Sequence, residues 1–166
     1  MPQQQSDCKT DILICDSNVV MMMTVFDSQM FKVKYSSGIV SVHSISIREL
    51  QSWIDKNNEK VKKFTKPVVQ RAIDLCETRN IELKEPTDPE RKKGLSYLSA
   101  TESRLNPSEK STATSYTDKF LLILARSSKS TLATQELTLR SLTRRSLGDA
   151  RLSSFEDMLI DLNAQK

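Results

Sequence analysis

Ile12-Leu13-Ile14-Cys15-Asp16-Ser17-Asn18-Val19-Val20 decides how the rest of the chain is read. Three β-prone apolar residues and a cysteine run into an aspartate, a serine and an asparagine, after which apolar residues resume. This is the signature of a buried strand that ends on an acid. A carboxylate at the end of a buried run is costly unless it is hydrogen-bonded or binds a cation. In an open α/β sheet the carboxyl ends of the strands face the ligand crevice, so Asp16 is placed for chemistry and not for packing.

Outward from that stretch, the pattern alternates between strands and helices. Asp11 to Cys15 is the first strand and Ser17 to Phe26 a helix capped by Ser17. The segment from Asp27 to Ser37 is ambiguous between a short strand and a loop, and Ile39 to Ile45 is a second strand. Helices are expected from Ser46 to Asp55, Pro67 to Arg79, Asp88 to Leu105, Asp118 to Ser127 and Gln135 to Leu147, with Ile81 to Leu83 extended and a short strand at Thr131 to Thr134. Phe155, Met158, Leu159 and Leu162 recur at helical spacing. The alternation predicts an α/β fold, a central mostly parallel sheet flanked by helices. Residues 1–10 read as a disordered tail, 11–147 as the domain and 148–166 as a C-terminal helix packed on it.

The 166 residues suffice for one domain of ordinary size. With 37% apolar and 28% charged residues the composition is that of a polar globular protein. No apolar run is long enough to span a bilayer and the start of the chain lacks the apolar middle of a secretory signal, so no membrane partner and a cytoplasmic location are expected. Cys8, Cys15 and Cys76 have no CxxC spacing, which points to reduced structural thiols and no zinc site. Met21 to Met23 read as core filler or a greasy partner surface, and the lone His43 as a satisfied polar residue. The formal charge of +4 is compatible with a polyanionic partner, with basic residues gathered at 56–66, 91–93 and 140–151. Such runs are also ordinary solvated helix faces.

Three further acids, Glu49, Asp118 and Glu136, fall where a helix leaves a strand or loop. Each has a local explanation. Ser46 and Glu49 fit a capping box, Ser115 and Asp118 share that spacing, and an acid in a first turn is favoured by the helix dipole. Four carboxylates gathered within ~5 Å would repel by about 3 kcal/mol per pair at an effective dielectric near 20. Such a cluster needs a divalent ion, and oxygen ligands alone point to Mg²⁺ or Mn²⁺.

In this order the residues resemble the PIN-domain ribonucleases, including their VapC-like members. Ile14-Cys15-Asp16-Ser17-Asn18-Val19-Val20 looks like the opening motif, and Ser46-Ile47-Arg48-Glu49-Leu50 the second. Thr117-Asp118 followed by Phe120 to Ala125 is similar to the third, and Thr131 to Leu137 with Thr134 and Glu136 to the fourth. The resemblance covers Asp11 to about Leu147 and implies a three-layer PIN-like fold. It also implies a metal-dependent endoribonuclease in which Asp16, Glu49, Asp118 and Glu136 serve Mg²⁺ or Mn²⁺ and catalysis, supported by Ser17, Asn18 and Thr134. RNA is then the expected partner, with the basic segments on its phosphates. An antitoxin or other inhibitor protein and a second copy of the chain are the other partners considered, at the helix from Gln135 and at Met21 to Val25. A toxin of a toxin–antitoxin pair is one form of that expectation. Glu136 stands where the family commonly has Asp, and its extra methylene moves the carboxylate by roughly one bond, ~1.5 Å. That departure supports the alternative, a catalytically weak PIN-like module that binds RNA or protein.

Overall fold

The computed structural model describes residues 11–55, 64–111 and 113–165. The expected tail at 1–10 and most of the first basic segment, 56–63, lie outside the described residues. Strand β1 (Ile12–Cys15) occupies the middle of a five-stranded sheet. On one side it pairs in parallel with β3 (Gly38–Ser41), which continues into the antiparallel edge strand β2 (Lys34–Tyr35). On the other it pairs in parallel with β4 (Thr131–Ala133), which in turn pairs in parallel with β5 (Leu152–Ser153). The order β2-β3-β1-β4-β5 makes β1 the point from which successive connections diverge, and such a switch point opens a crevice at the strand ends. Gly38 sets the register on that side. Its φ of +132° is open to glycine, and a Cβ there would lie 2.5 Å from the Asp11 carbonyl oxygen. The bare backbone instead lets Ile39 N–H donate to that oxygen at 2.8 Å.

Side chains of β1 alternate between two cores, as the pleat requires. Leu13 and Cys15 enter a layer formed by α1 (Ser17–Phe26), α2 (Ser44–Asp55), α3 (Lys66–Glu77) and α7 (Phe155–Ala164), around Val19, Met21, Met23, Leu50, Trp53, Ile73 and Met158. Ile14 and the flanking Ile12 face α4 (Asp88–Ser103), α5 (Tyr116–Ser128) and α6 (Leu137–Leu147), packed through Leu98, Leu121, Leu124, Leu139 and Leu142. Each fully buried Leu or Met of these layers contributes about 1.5–3 kcal/mol. The result is the expected three-layer α/β arrangement. Met21 and Met23 are core, and Met22 is partly buried against it. Among the described residues no helix is long and apolar enough to cross a membrane.

Several boundaries differ from the sequence expectation for reasons of capping. Ser17 does not cap α1: the Asp16 carboxylate accepts from Val19 N–H at 3.0 Å and is itself the cap. The second core strand stops at Ser41 and α2 begins at Ser44. His43 takes over the start, its Nδ1 accepting from Ile45 N–H and its carbonyl from Ser46 N–H, both at 3.0 Å. Ser46 therefore lies inside the first turn with its Oγ buried and without a hydrogen-bond partner, and the capping box with Glu49 does not form. Helix α6 begins at Leu137, with Glu136 as its cap and not as an interior residue. Ahead of α7 the chain adds Leu152–Ser153 to the sheet, a strand too short for periodicity to reveal. Residues 81–87 form no strand, and Lys34–Tyr35 resolves the ambiguous segment as an edge strand.

Candidate functional site

Parallel register brings the ends of β1, β3 and β4 to one edge of the sheet, since Ile14 lies beside Ser41 and Cys15 beside Ala133. Helices α1, α2 and α6 leave from that edge. Helix α5 runs back toward the start of β4, so its first turn also lies there. The four acids ride on these four helix starts, where the positive ends of the helix dipoles favour negative charge. Asp16 caps α1, Glu49 sits in the second turn of α2, Asp118 in the first turn of α5, and Glu136 caps α6. All four line one cavity of about 350 Å³, together with Ser17, Asn18, Ser52, Trp53, Ala113 and Ser115. Among the described residues no Lys, Arg or His belongs to that lining.

Asp16 forms the floor, only 3% exposed. The hydroxyl of the fully buried Thr134 donates to Asp16 Oδ2, and the same Thr134 Oγ1 accepts from Glu136 N–H at 3.2 Å. Burial pushes the Asp16 carboxyl up to about 7; the bonds from Thr134 and Val19 oppose this, and the negative charges of Asp118 and Glu49 add to it. Thr134 thus holds the Asp16 carboxylate in place. Glu136 is held more tightly than a surface glutamate. Its Oε1 accepts from Ser111 Oγ at 2.7 Å and from Thr138 N–H at 3.1 Å, and its Oε2 from Leu139 N–H at 2.6 Å. Asp118 donates its backbone N–H to Ser115 Oγ at 3.1 Å, which fixes the first turn of α5.

Ser17 and Asn18 line the cavity. Ser17 Oγ is buried and has no hydrogen-bond partner. Ser52 and Trp53 were not foreseen, although their i+3 and i+4 spacing from Glu49 puts them on its helix face. Ser52 Oγ donates to the Glu49 carbonyl at 2.6 Å. The arginines of the 140–151 segment are tied into the fold. Arg140 donates to the Thr134 and Ser153 carbonyls, Arg144 pairs with Asp149, Arg145 pairs with Glu109, and Arg151 holds the Ser130 carbonyl. Among the described residues no three His, Cys, Asp or Glu side chains already stand together as ligands of one ion. The four carboxylates share a cavity without closing on a common point.

No protein-family model matches this chain. No curated protein matches it either. Its fold is similar to the crystal structure of PAE2754 from Pyrobaculum aerophilum, with a TM-score of 0.61 and 15% identity over 94% of this chain and 91% of that one. At that identity the likeness concerns the fold.

Proposed function

We propose that this protein is a metal-dependent endoribonuclease of the PIN type, hydrolysing RNA phosphodiester bonds at the cavity floored by Asp16. The observation that carries this is that Asp16, Glu49, Asp118 and Glu136, far apart in sequence, line one cavity at the carboxyl edge of the sheet. Capping explains why Asp16 and Glu136 start helices, and the helix dipole favours Asp118 in a first turn. Neither requires these acids and Glu49 to line one cavity.

The donor set suits a hard divalent cation. It is all oxygen, it includes a buried carboxylate raised toward neutrality, and the Ser17 hydroxyl is buried there without a partner. Asp16, Glu49 and Asp118 would hold Mg²⁺ or Mn²⁺. A cation so held offsets charge on the scissile phosphate and acidifies the attacking water. Thr134 keeps Oδ2 of Asp16 oriented, and the Val19 amide keeps Oδ1. Ser17 and Asn18 supply polar groups that orient water or a phosphate oxygen. Glu136, with both oxygens accepting from the α6 start and Ser111, supports the site from its rim.

One observation favours a second reading, a PIN-like module that binds RNA or protein with little catalysis: Glu136 is engaged in capping and the acids are not pre-assembled around a point. Labelled RNA incubated with and without Mn²⁺, beside the Asp16→Asn variant, separates the two. Metal-dependent cleavage lost in the variant supports the nuclease. Binding without cleavage at every metal concentration favours the module, and absence of both binding and Mn²⁺-induced stabilisation sinks both.

A further inference from the structure

A second and larger cavity, of about 560 Å³, opens between α4, the last half of α5 and the end of α6. It shares no residue with the acidic one. Small-molecule sites usually measure roughly 300–1,000 Å³, so the space suits a bound metabolite. Its floor is apolar: Leu98, Leu122 and Ile123 line it, each at most 6% exposed. Gly94 rests the α4 backbone on that floor, since a Cβ there would stand 2.8 Å from Ile123 Cγ1. A glycine inside a helix is unfavourable against alanine, and close packing beneath the cavity is what it serves here. Tyr97, 46% exposed, lines the wall and stacks on no other ring of the described residues. Lys93 and Arg126 line it too, and among the described residues neither enters an ion pair. Glu90, the acid of the lining, is turned to the cap of α4, its Oε1 accepting from Thr87 Oγ1 at 3.0 Å. Ser127 and Ser146 add hydroxyls, and Ser127 Oγ is buried without a hydrogen-bond partner.

We propose that this cavity binds a small aromatic phosphate monoester, of the nucleoside monophosphate class. The site stands apart from the nuclease reading and uses none of its residues. Two cations without ion-pair partners match a dianion better than a singly charged group. A phosphate monoester carries a charge of about −1.5 to −2 at neutral pH, whereas a carboxylate carries one. A guanidinium forks onto two phosphate oxygens and an ammonium meets a third as a point charge, so Arg126 and Lys93 divide the work by their chemistry. The rest of the lining suits what such an anion carries. A half-exposed tyrosine ring beside an apolar floor takes a flat base, because every base has a π-face to lay on it. Inorganic phosphate would leave ring and floor unused, and a nucleoside would leave the cations unused.

Isothermal titration calorimetry of the full-length protein in excess chelator tests this, with adenosine monophosphate, adenosine and inorganic phosphate as titrants. The monophosphate is expected to bind, and the other two about tenfold more weakly or worse. Arg126→Gln and Tyr97→Ala should each weaken the monophosphate about tenfold, whereas Tyr97→Phe should bind it as the parent does. Lys93→Gln should also weaken it, and Asp16→Asn should not. Lys93, Tyr97 and Arg126 are exposed, and unchanged melting temperatures certify that their variants are folded. Neither heat nor a rise in melting temperature with millimolar monophosphate overturns the proposal. Equal affinity for inorganic phosphate also overturns it, since the ring would then have no part. Binding that survives Arg126→Gln and Tyr97→Ala, or is lost in Asp16→Asn, puts the ligand elsewhere and overturns it as well. An oligoribonucleotide that binds through Arg126 where the monophosphate does not would make the cavity part of an RNA track, with the same result. The titration measures no cleavage and runs without metal, so its failure leaves the nuclease reading untouched.

Discussion

The hydroxyl of Thr134, at the end of β4, donates to Oδ2 of Asp16, at the end of β1. Two adjacent parallel strands are thereby joined at their carboxyl edge by side chains as well as by the ladder, and the deepest acid of the cavity is held in one orientation. Replacing Thr134 with the near-isosteric valine removes that donor. The variant is expected to lose about 1–3 kcal/mol in urea unfolding near neutral pH, the range for a buried acceptor left unsatisfied. Because the Thr134 bond opposes the rise caused by burial, the acid limb of any pH–rate profile should also move to higher pH.

Asp16 makes stability depend on pH with a definite sign. Its folded pKa of about 7 lies above the ordinary aspartate value of 3.8, so between those values the folded state binds more protons than the unfolded one. Stability therefore falls as pH rises through that window, by an amount on the order of 4 kcal/mol for this group alone. Asp16→Asn should flatten the fall. The crossing of wild-type and variant melting curves between pH 4 and 8 reads this out, and parallel curves would refute it.

A divalent cation should reverse the same trend. Protons compete with the cation for Asp16, so Mn²⁺ is expected to raise the melting temperature more at pH 8 than at pH 6. At one hundred times its dissociation constant the gain is about 2.7 kcal/mol, or roughly 5–10 °C for a chain of this size. Calorimetric scans with Mn²⁺, and with excess chelator, check the effect. Asp16→Asn should abolish most of it.

Glu136 is expected to separate folding from chemistry. Glu136→Ala loses the α6 cap and should cost about 0.5–2 kcal/mol. Glu136→Gln keeps one of the two accepting oxygens and should cost less than Glu136→Ala. If RNA cleavage falls less in Glu136→Gln than in Asp16→Asn, the supporting role stands. An equal loss would make Glu136 a principal ligand.

At Gly38 the prediction concerns the sheet alone. Alanine would place its Cβ against the Asp11 carbonyl and meet an unfavourable φ of +132°. Gly38→Ala should cost about 2 kcal/mol or more. Denaturant titration measures it, and a loss below 0.5 kcal/mol would contradict the close approach of β3 to β1.

Much of this was legible in the chain because parallel strands convert order into position. Once Ile12 to Cys15 is a central strand, any residue just past a parallel neighbour falls at the same edge, and the spacing of Glu49, Asp118 and Glu136 did the rest. What could not be read was which group caps which helix. Asp16 outcompetes Ser17, and His43 pre-empts Ser46, because strand register fixes where each strand ends and the nearest acceptor then takes the open amide. Leu152–Ser153 was invisible for another reason. Its two residues owe their conformation to the exposed edge of β4 and carry no pattern of their own. Trp53, unread in the sequence, is core at 2% exposure while also walling the cavity.

That two of the cavity's acids, Asp16 and Glu136, double as helix caps gives this chain a particular route to silence. Asparagine at position 16 still offers a side-chain oxygen to the Val19 amide, and glutamine at 136 keeps one accepting oxygen for the start of α6 in place of two. Chemistry can thus be erased by single-nucleotide drift with the scaffold intact. Inert descendants would keep the outline of the cavity, and isosteric amides at these two positions are the marks by which to recognise them.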